Sequence, residues 1–190
     1  MESSFLNSAL KQFEYYKLLG EKTFEQIDDE SLCRKYNSET NSIATIVKHL
    51  SGNMVSRWTD FLHTDGEKNW RNREKEFEET TMSRHDLINI WQKGWNCLFE
   101  TLLSLQKDDL GKTIFIRNQG HSVVEAITRQ IAHYAYHVGQ IVFVGKLIRN
   151  DDWQSLSIPK GNSEKYNEEK FSKPQHAEHF TDEILQNNQK

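Results

Sequence analysis

The sequence is poor in the residues that punctuate a chain, with 2 prolines and 9 glycines among 190 residues. That shortage disfavours sandwiches and barrels, which need many tight turns. Cysteine is also scarce. Cys33 and Cys97 stand far apart, in no metal-like spacing, and imply a reduced, cytoplasmic protein rather than a disulfide scaffold. There is no basic excess: 24 Lys and Arg face 28 Asp and Glu, a net charge of −4 with an isoelectric point near 6.1. Such a balance lacks the electrostatic footprint of a nucleic-acid binder. Long apolar runs are missing too. The longest stretch free of charged residues, Gln130 to Gly145, contains His133 and His137 and falls short of the ~20 residues a bilayer needs, so no membrane partner is expected. The first residues, Met-Glu-Ser-Ser-Phe-Leu, show no basic run leading into an apolar one, and no secretory signal is expected.

What the chain does contain is helical periodicity. Phe5, Ala9, Phe13, Tyr16, Leu19, Phe24 and Ile27 trace an apolar stripe that predicts a helix over 4–27. Ile43, Ile46, Val47, Leu50, Met54, Trp58 and Phe61 predict a second over 42–62, with Asn41 or Ser42 as its cap. A polar loop is expected from His63 to about Thr81. Leu87, Ile90, Trp91, Leu98 and Leu102 predict a third helix over 84–105. The fourth is expected over 122–149, opened by Ser122 with Glu125 three residues on as a capping box. Just before it, Lys112 to Arg117 is a β-branched and aromatic run closed by Asn118-Gln119-Gly120, which predicts a short extended segment. Beyond residue 160 the chain turns polar, so a loosely packed extension over 161–190 is expected, with one short helix near 178–186. The fold class is all-α: an antiparallel four-helix bundle over 1–160.

The fourth helix carries the chemistry. At 100° per residue Arg129, Gln130, His133, His137 and Gln140 form a polar strip within about a 100° arc. Thr128, Ala132, Ala135 and Gly139 occupy the far face, where another helix is expected to approach closely. His133 and His137, at i and i+4, place two imidazoles within reach of one ion. Such a pair also serves as plain hydrogen-bonding groups in a core. It is no peptidase signature, because Tyr134-Ala135-Tyr136 between them supplies no glutamate. His49 on the second helix, with Asn53 one turn later, would complete a bundle metal site of three nitrogens with an open position. Asn53, Asp60, Gln130 and Gln140 are candidates to orient the imidazoles. Arg57 and Arg129 are candidate substrate contacts, and Trp70, Arg71 and Arg73 are placed like a lid over an anionic ligand. Cys97, among Trp95, Leu98 and Phe99, reads as an inert buried thiol, and Cys33 as exposed.

Two stretches, Asn41-Ser-Ile-Ala-Thr-Ile-Val-Lys-His49-Leu50 and Arg129-Gln-Ile-Ala-His133-Tyr-Ala-Tyr-His137-Val-Gly-Gln140-Ile141, resemble the DinB/YfiT-like superfamily, and within it a subfamily of unassigned function. The resemblance covers roughly residues 1–160. It implies a four-helix bundle, often a homodimer, in which His49, His133 and His137 hold a divalent metal. Some members of that superfamily are transferases or isomerases that use bacillithiol, mycothiol or a similar low-molecular-weight thiol.

The expected function is therefore metal-dependent transfer of such a thiol to an electrophilic small molecule, with zinc or nickel as the ion. Coordination keeps a thiol ionised at neutral pH. No acid–base glutamate is evident to favour hydrolysis by a metal-bound hydroxide instead. Two other readings stand beside it: a non-catalytic metal-binding bundle, and a bundle whose histidines only bond one another in the core.

Overall fold

In a computed structural model the described residues are 4–79 and 81–188. Residues 1–3, Thr80 of the expected polar loop, and residues 189–190 of the expected extension lie outside them. The chain is all-α apart from one small hairpin. Its long helices are α1 (Ser4–Gln26), α3 (Ile43–Trp58), α5 (Arg84–Ser104) and α6 (Val123–Arg149); the short helix α2 (Asp29–Leu32) follows α1, and α4 (Arg73–Phe77) precedes α5. Helices α3, α5 and α6 each start at a serine cap. Ser42 accepts from the Thr45 amide, Ser83 from the Asp86 amide, and Ser122 exchanges hydrogen bonds with Glu125 in a capping box.

Helix α3 ends four residues before its expected limit of 62. Thr59 turns to an extended conformation at its C-terminus and Asp60 is left-handed, at φ 47°. The polar loop that follows is not structureless, since it contains α4.

The directions of the long helices follow from residue pairs along them. Ser51 faces Gly94 and the Trp58 carbonyl accepts from Thr101, so α3 and α5 run parallel. Phe13 meets Tyr134 and Thr23 meets Gly145, so α1 and α6 are parallel as well. Asn53 pairs with Gln130 while His49 lies against His137, which sets α3 and α6 antiparallel. In an up-and-down antiparallel bundle alternate helices, here the second and fourth, run parallel, and the depths of His49 and of His133 and His137 along them then agree only with an offset between the two helices. The difference comes from connection 59–83, which is long enough to return the chain to the starting end before α5 begins. The three histidines consequently meet without that offset.

Between the long helices sits an aromatic core. Phe13, Trp58, Trp91, Trp95 and Tyr134 are all buried, and Phe13 touches Trp58, Trp95 and Tyr134 with ring centroids 5.7–6.4 Å apart. The Tyr134 hydroxyl, which would be costly to bury alone, accepts from Trp58 Nε1 at 3.0 Å and donates to Asn53 Oδ1 at 3.1 Å.

The expected extended segment is a hairpin, β1 (Thr113–Ile116) paired antiparallel with β2 (Gln119–Ser122). Its two-residue tip places Arg117 and Asn118 at positive φ, the geometry of a primed hairpin turn. The Asp65 carboxylate accepts both tip amides at 2.8 Å, and the Phe115 carbonyl accepts from the Gly66 amide. These bonds tie the hairpin to the loop after α3.

The C-terminal extension is more ordered than its composition suggests. It forms α7 (Ser163–Phe171) and α8 (Asp182–Asn187), and it docks on α1 through Lys11–Asp182 at 2.6 Å and Ser8–His179 at 3.0 Å, with Thr181 fully buried. Among the described residues no helix is long and apolar enough to cross a membrane.

Candidate metal centre

His49 comes from α3, and His133 and His137 come from successive turns of α6. Their rings converge, with centroids 4.8 Å apart for His49–His137 and His133–His137 and 5.6 Å for His49–His133. One nitrogen from each lies within 4.8 Å of the other two. An ion at the ~2.0–2.1 Å of a zinc–imidazole bond would need the three donors drawn closer together than this.

The protonation of the cluster suits a cation. Burial first, then the nearby His137 and His49, lower the His133 pKa to about 3; burial also lowers that of His137, against its hydrogen bond to Gln140. Both imidazoles are neutral at pH 7 and keep a lone pair to offer. His133 Nδ1 is buried with no hydrogen-bond partner among the described residues. An imidazole nitrogen left without a bond within the cluster argues against a self-contained core network.

Two of the imidazoles are oriented from behind. His137 Nδ1 donates to Gln140 Oε1 at 2.9 Å. His49, only 5% exposed, donates from Nδ1 to Glu76 Oε2 at 2.9 Å. Each bond fixes a tautomer whose Nε2 carries the free lone pair.

Glu76 and its support were not foreseen. It sits on α4, inside the polar loop, and Arg71 grips its carboxylate with two bonds, Nε at 2.8 Å and Nη2 at 2.9 Å. Burial raises the Glu76 carboxyl, but the hydrogen bonds from His49 and Arg71 and the Arg71 charge outweigh it and hold the pKa below the ordinary carboxylate value. The carboxylate lies directly on Gly52, where any Cβ would collide with it. A glycine inside a helix costs about 1 kcal/mol relative to alanine. Gly52, one turn after His49, was the signal in the sequence that something packs there.

Several expectations fall away. Among the described residues Asn53 and Gln130 make no hydrogen bond to the three imidazoles, although Asn53 lines the same pocket; they bond each other at 2.8 Å and share the Tyr134 hydroxyl, locking α3 to α6. Asp60 is an exposed turn residue outside the pocket. Arg71 is no open lid residue, since its guanidinium is buried and paired with Glu76 and Glu67. Trp70 is exposed and does not line the pocket. Cys33 is half-buried, with its thiol directed at the Met82 carbonyl. Cys97 is half-buried as well, and burial pushes its pKa up, as suits an inert thiol.

The histidines open into a pocket of about 330 Å³. Its lining includes Arg57, Arg71, Arg73, Arg117 and Arg129 together with Asn41, Phe77 and Tyr136. Phe77 packs on the His49 ring at 4.8 Å and covers one side of the cluster.

The family model described as "Protein of unknown function (DUF1572)" matches residues 1–162. The chain belongs to the DUF1572 family. All three histidines, Glu76 and every residue lining the pocket fall inside the matched region, while α7 and α8 lie beyond it. No curated protein matches the chain. A crystal structure of a conserved protein of a locus from Enterococcus faecalis is similar in fold, with a TM-score of 0.60 at 13% identity over 78% of this chain and 98% of that one.

Proposed function

We propose that this DUF1572 protein is a divalent-metal-dependent enzyme of the DinB type. In this reading its four long helices are a DinB-like bundle, and it joins a low-molecular-weight thiol of the bacillithiol kind to an electrophilic small molecule. The observation that carries the reading is the convergence of three imidazole nitrogens within 4.8 Å at the floor of an open pocket. His49, His133 and His137 would hold the ion, zinc or nickel. When bound, the metal supplies a positive charge that keeps a thiol ionised at neutral pH.

The chain's own residues set up the site around that charge. Glu76 and Gln140 hold the Nδ1 protons of His49 and His137 and so point two lone pairs inward. Arg71 keeps Glu76 ionised, and a carboxylate behind a ligating imidazole strengthens its donation. Phe77 and the Asn53–Gln130–Tyr134 network shield one side from water. Among the described residues the three-histidine cluster includes no fourth His, Cys, Asp or Glu, which supports an open coordination position over a closed structural one.

We also propose a homodimer. The face of α6 expected to receive another helix is uncovered in the single chain: space around Gly139 is open, and Tyr136 and Phe143 are 64% and 61% exposed. Tyr136 also lines the pocket, so a second copy seated on this face would border the site. Sedimentation at micromolar concentration is expected to show a dimer; a clean monomer removes this part alone.

The test of the chemistry is conjugation of monochlorobimane by the metal-loaded protein with bacillithiol, glutathione, coenzyme A or cysteine. Acceleration with at least one thiol, lost in His133→Ala, is expected. No acceleration with any of them, while metal remains bound, moves the reading to a non-catalytic metal-binding protein.

A further inference from the structure

The pocket is chemically one-sided. Five of the chain's eight arginines line it, whereas among the described residues no lysine, aspartate or glutamate does. In a chain of net charge −4 this is a local inversion of sign. Arginine rather than lysine is the residue that grips planar or tetrahedral oxyanions through two parallel bonds.

The five arginines are not equally occupied. Arg71 is consumed by Glu76 and Glu67. Arg117, on the hairpin tip, reaches Glu67 at 3.2 Å, and Arg73 lies over the Phe77 ring with Glu74 at 3.5 Å. Arg57 and Arg129 are different. Arg57 is 3% exposed, and its Nε and Nη1 are buried with no hydrogen-bond partner among the described residues; its nearest carboxylate, Glu67, is 3.8 Å from Nη2. Among the described residues Arg129 bonds only the side-chain amide oxygen of the neighbouring Gln130, at 3.1 Å. A guanidinium kept from water with two donors unused is costly unless something else completes it.

We propose that Arg57 and Arg129 form an oxyanion subsite, which binds a carboxylate or phosphate group of the substrate beside the histidine cluster. The inference rests on the proposed function only for calling the ligand a substrate; the subsite itself needs no metal. Arg129 stands one helical turn before His133, about 6 Å along α6. Arg57 approaches the same end of the pocket from antiparallel α3, eight residues beyond His49. A small molecule with its anionic group on the two arginines would place its other end among the imidazoles. A pocket of about 330 Å³ has room for a metabolite with one or two such groups.

The experiment is calorimetric and thermal-shift titration at constant ionic strength with malonate, succinate and inorganic phosphate. Malonamide and chloride serve as neutral and simple-anion controls. Each titration is run on metal-loaded and chelator-treated protein. At least one oxyanion is expected to bind and raise the melting midpoint in both forms, at least tenfold more weakly in Arg57→Lys, which keeps the charge but loses the fork, and in Arg129→Gln. Malonate or succinate against phosphate tells which oxyanion the subsite prefers. Should Arg57→Lys fail to fold, Arg129→Gln, which alters an exposed side chain, decides alone. Three results overturn the subsite: no binding of any oxyanion to the wild type, binding matched by chloride, or affinity unchanged in the folded variants. Oxyanion binding that disappears on chelation also overturns it, by assigning the anion to the metal. Oxyanion binding by a protein that takes up no metal would instead leave the subsite standing and remove the proposed function.

Discussion

Replacing Glu76 by alanine removes one carboxylate from between two buried partners. Arg71, with 3% of its side chain exposed, would lose both of its short bonds to Glu76, and His49 would lose the acceptor of its Nδ1 proton. Removing one member of a buried ion pair costs about 3–5 kcal/mol, because the charge left behind stays desolvated. Arg71 keeps Glu67 at 3.4 Å, which points to the lower end of that range. Metal affinity should fall as well, since loss of an outer partner of a metal-binding histidine typically costs about 10–100-fold. Urea denaturation of chelator-treated protein measures the first effect, and zinc titration against a chelating dye measures the second. Glu76→Gln, which retains an oxygen for His49, should lose less affinity than alanine. Gly52→Ala should weaken zinc binding from the opposite side, because its methyl occupies the space of the Glu76 carboxylate. A folded Glu76→Ala protein with wild-type zinc affinity would refute the orienting role. Unchanged stability, within about 0.5 kcal/mol, would refute the assignment of a buried, tightly coupled pair.

The metal-free protein should lose stability in mild acid. The folded-state pKa values of His133, at about 3, and His137 both lie below the ordinary 6.5, so the unfolded chain binds more protons in that window. Stability is full above about pH 6.5 and declines as pH falls from there toward 3; His133→Ala should flatten the decline in denaturation midpoints between pH 7.5 and 4.5, and an equally steep decline would contradict it. At the crossing of α3 and α5, an added Cβ on Gly94 would stand 2.8 Å from Ser51 Cα, a backbone atom with little room to yield. Gly94→Ala should therefore destabilise by about 1–3 kcal/mol in urea denaturation, and a stabilised variant would show that the helices can separate there without cost.

The parts of the fold legible in the sequence were those written in local periodicity. The long helices and the caps at Ser42 and Ser122 depend on neighbouring residues, and they lie within a few residues of their expected limits. Helix α3 is the exception, because the end at Thr59–Asp60 is set by a left-handed turn that no apolar pattern records. Helix direction was not legible, since it depends on the path of connection 59–83. The histidine pair was visible through its i, i+4 spacing, and Gln140 through its place on the same strip. Glu76 was hidden for the opposite reason: it is one of many charged residues in a polar loop, and only the path of that loop brings it against His49. Arg71, expected as part of a lid over an anionic ligand, is instead buried and paired for the same cause. The small residues of α6 were read as a packing face, yet among the described residues nothing stands within 4 Å of a Cβ built on Gly139.

The central claim is that His49, His133 and His137 hold one divalent metal. Elemental analysis of protein purified without a histidine tag tests it most directly, with the wild type, His133→Ala and the exposed-histidine control His85→Ala measured together. About one equivalent of zinc or nickel per chain in the wild type and the control, and a large loss in His133→Ala, is the predicted result. A wild-type protein that takes up no divalent metal, even after incubation with zinc or nickel, would contradict the account, and so would an undiminished content in His133→Ala.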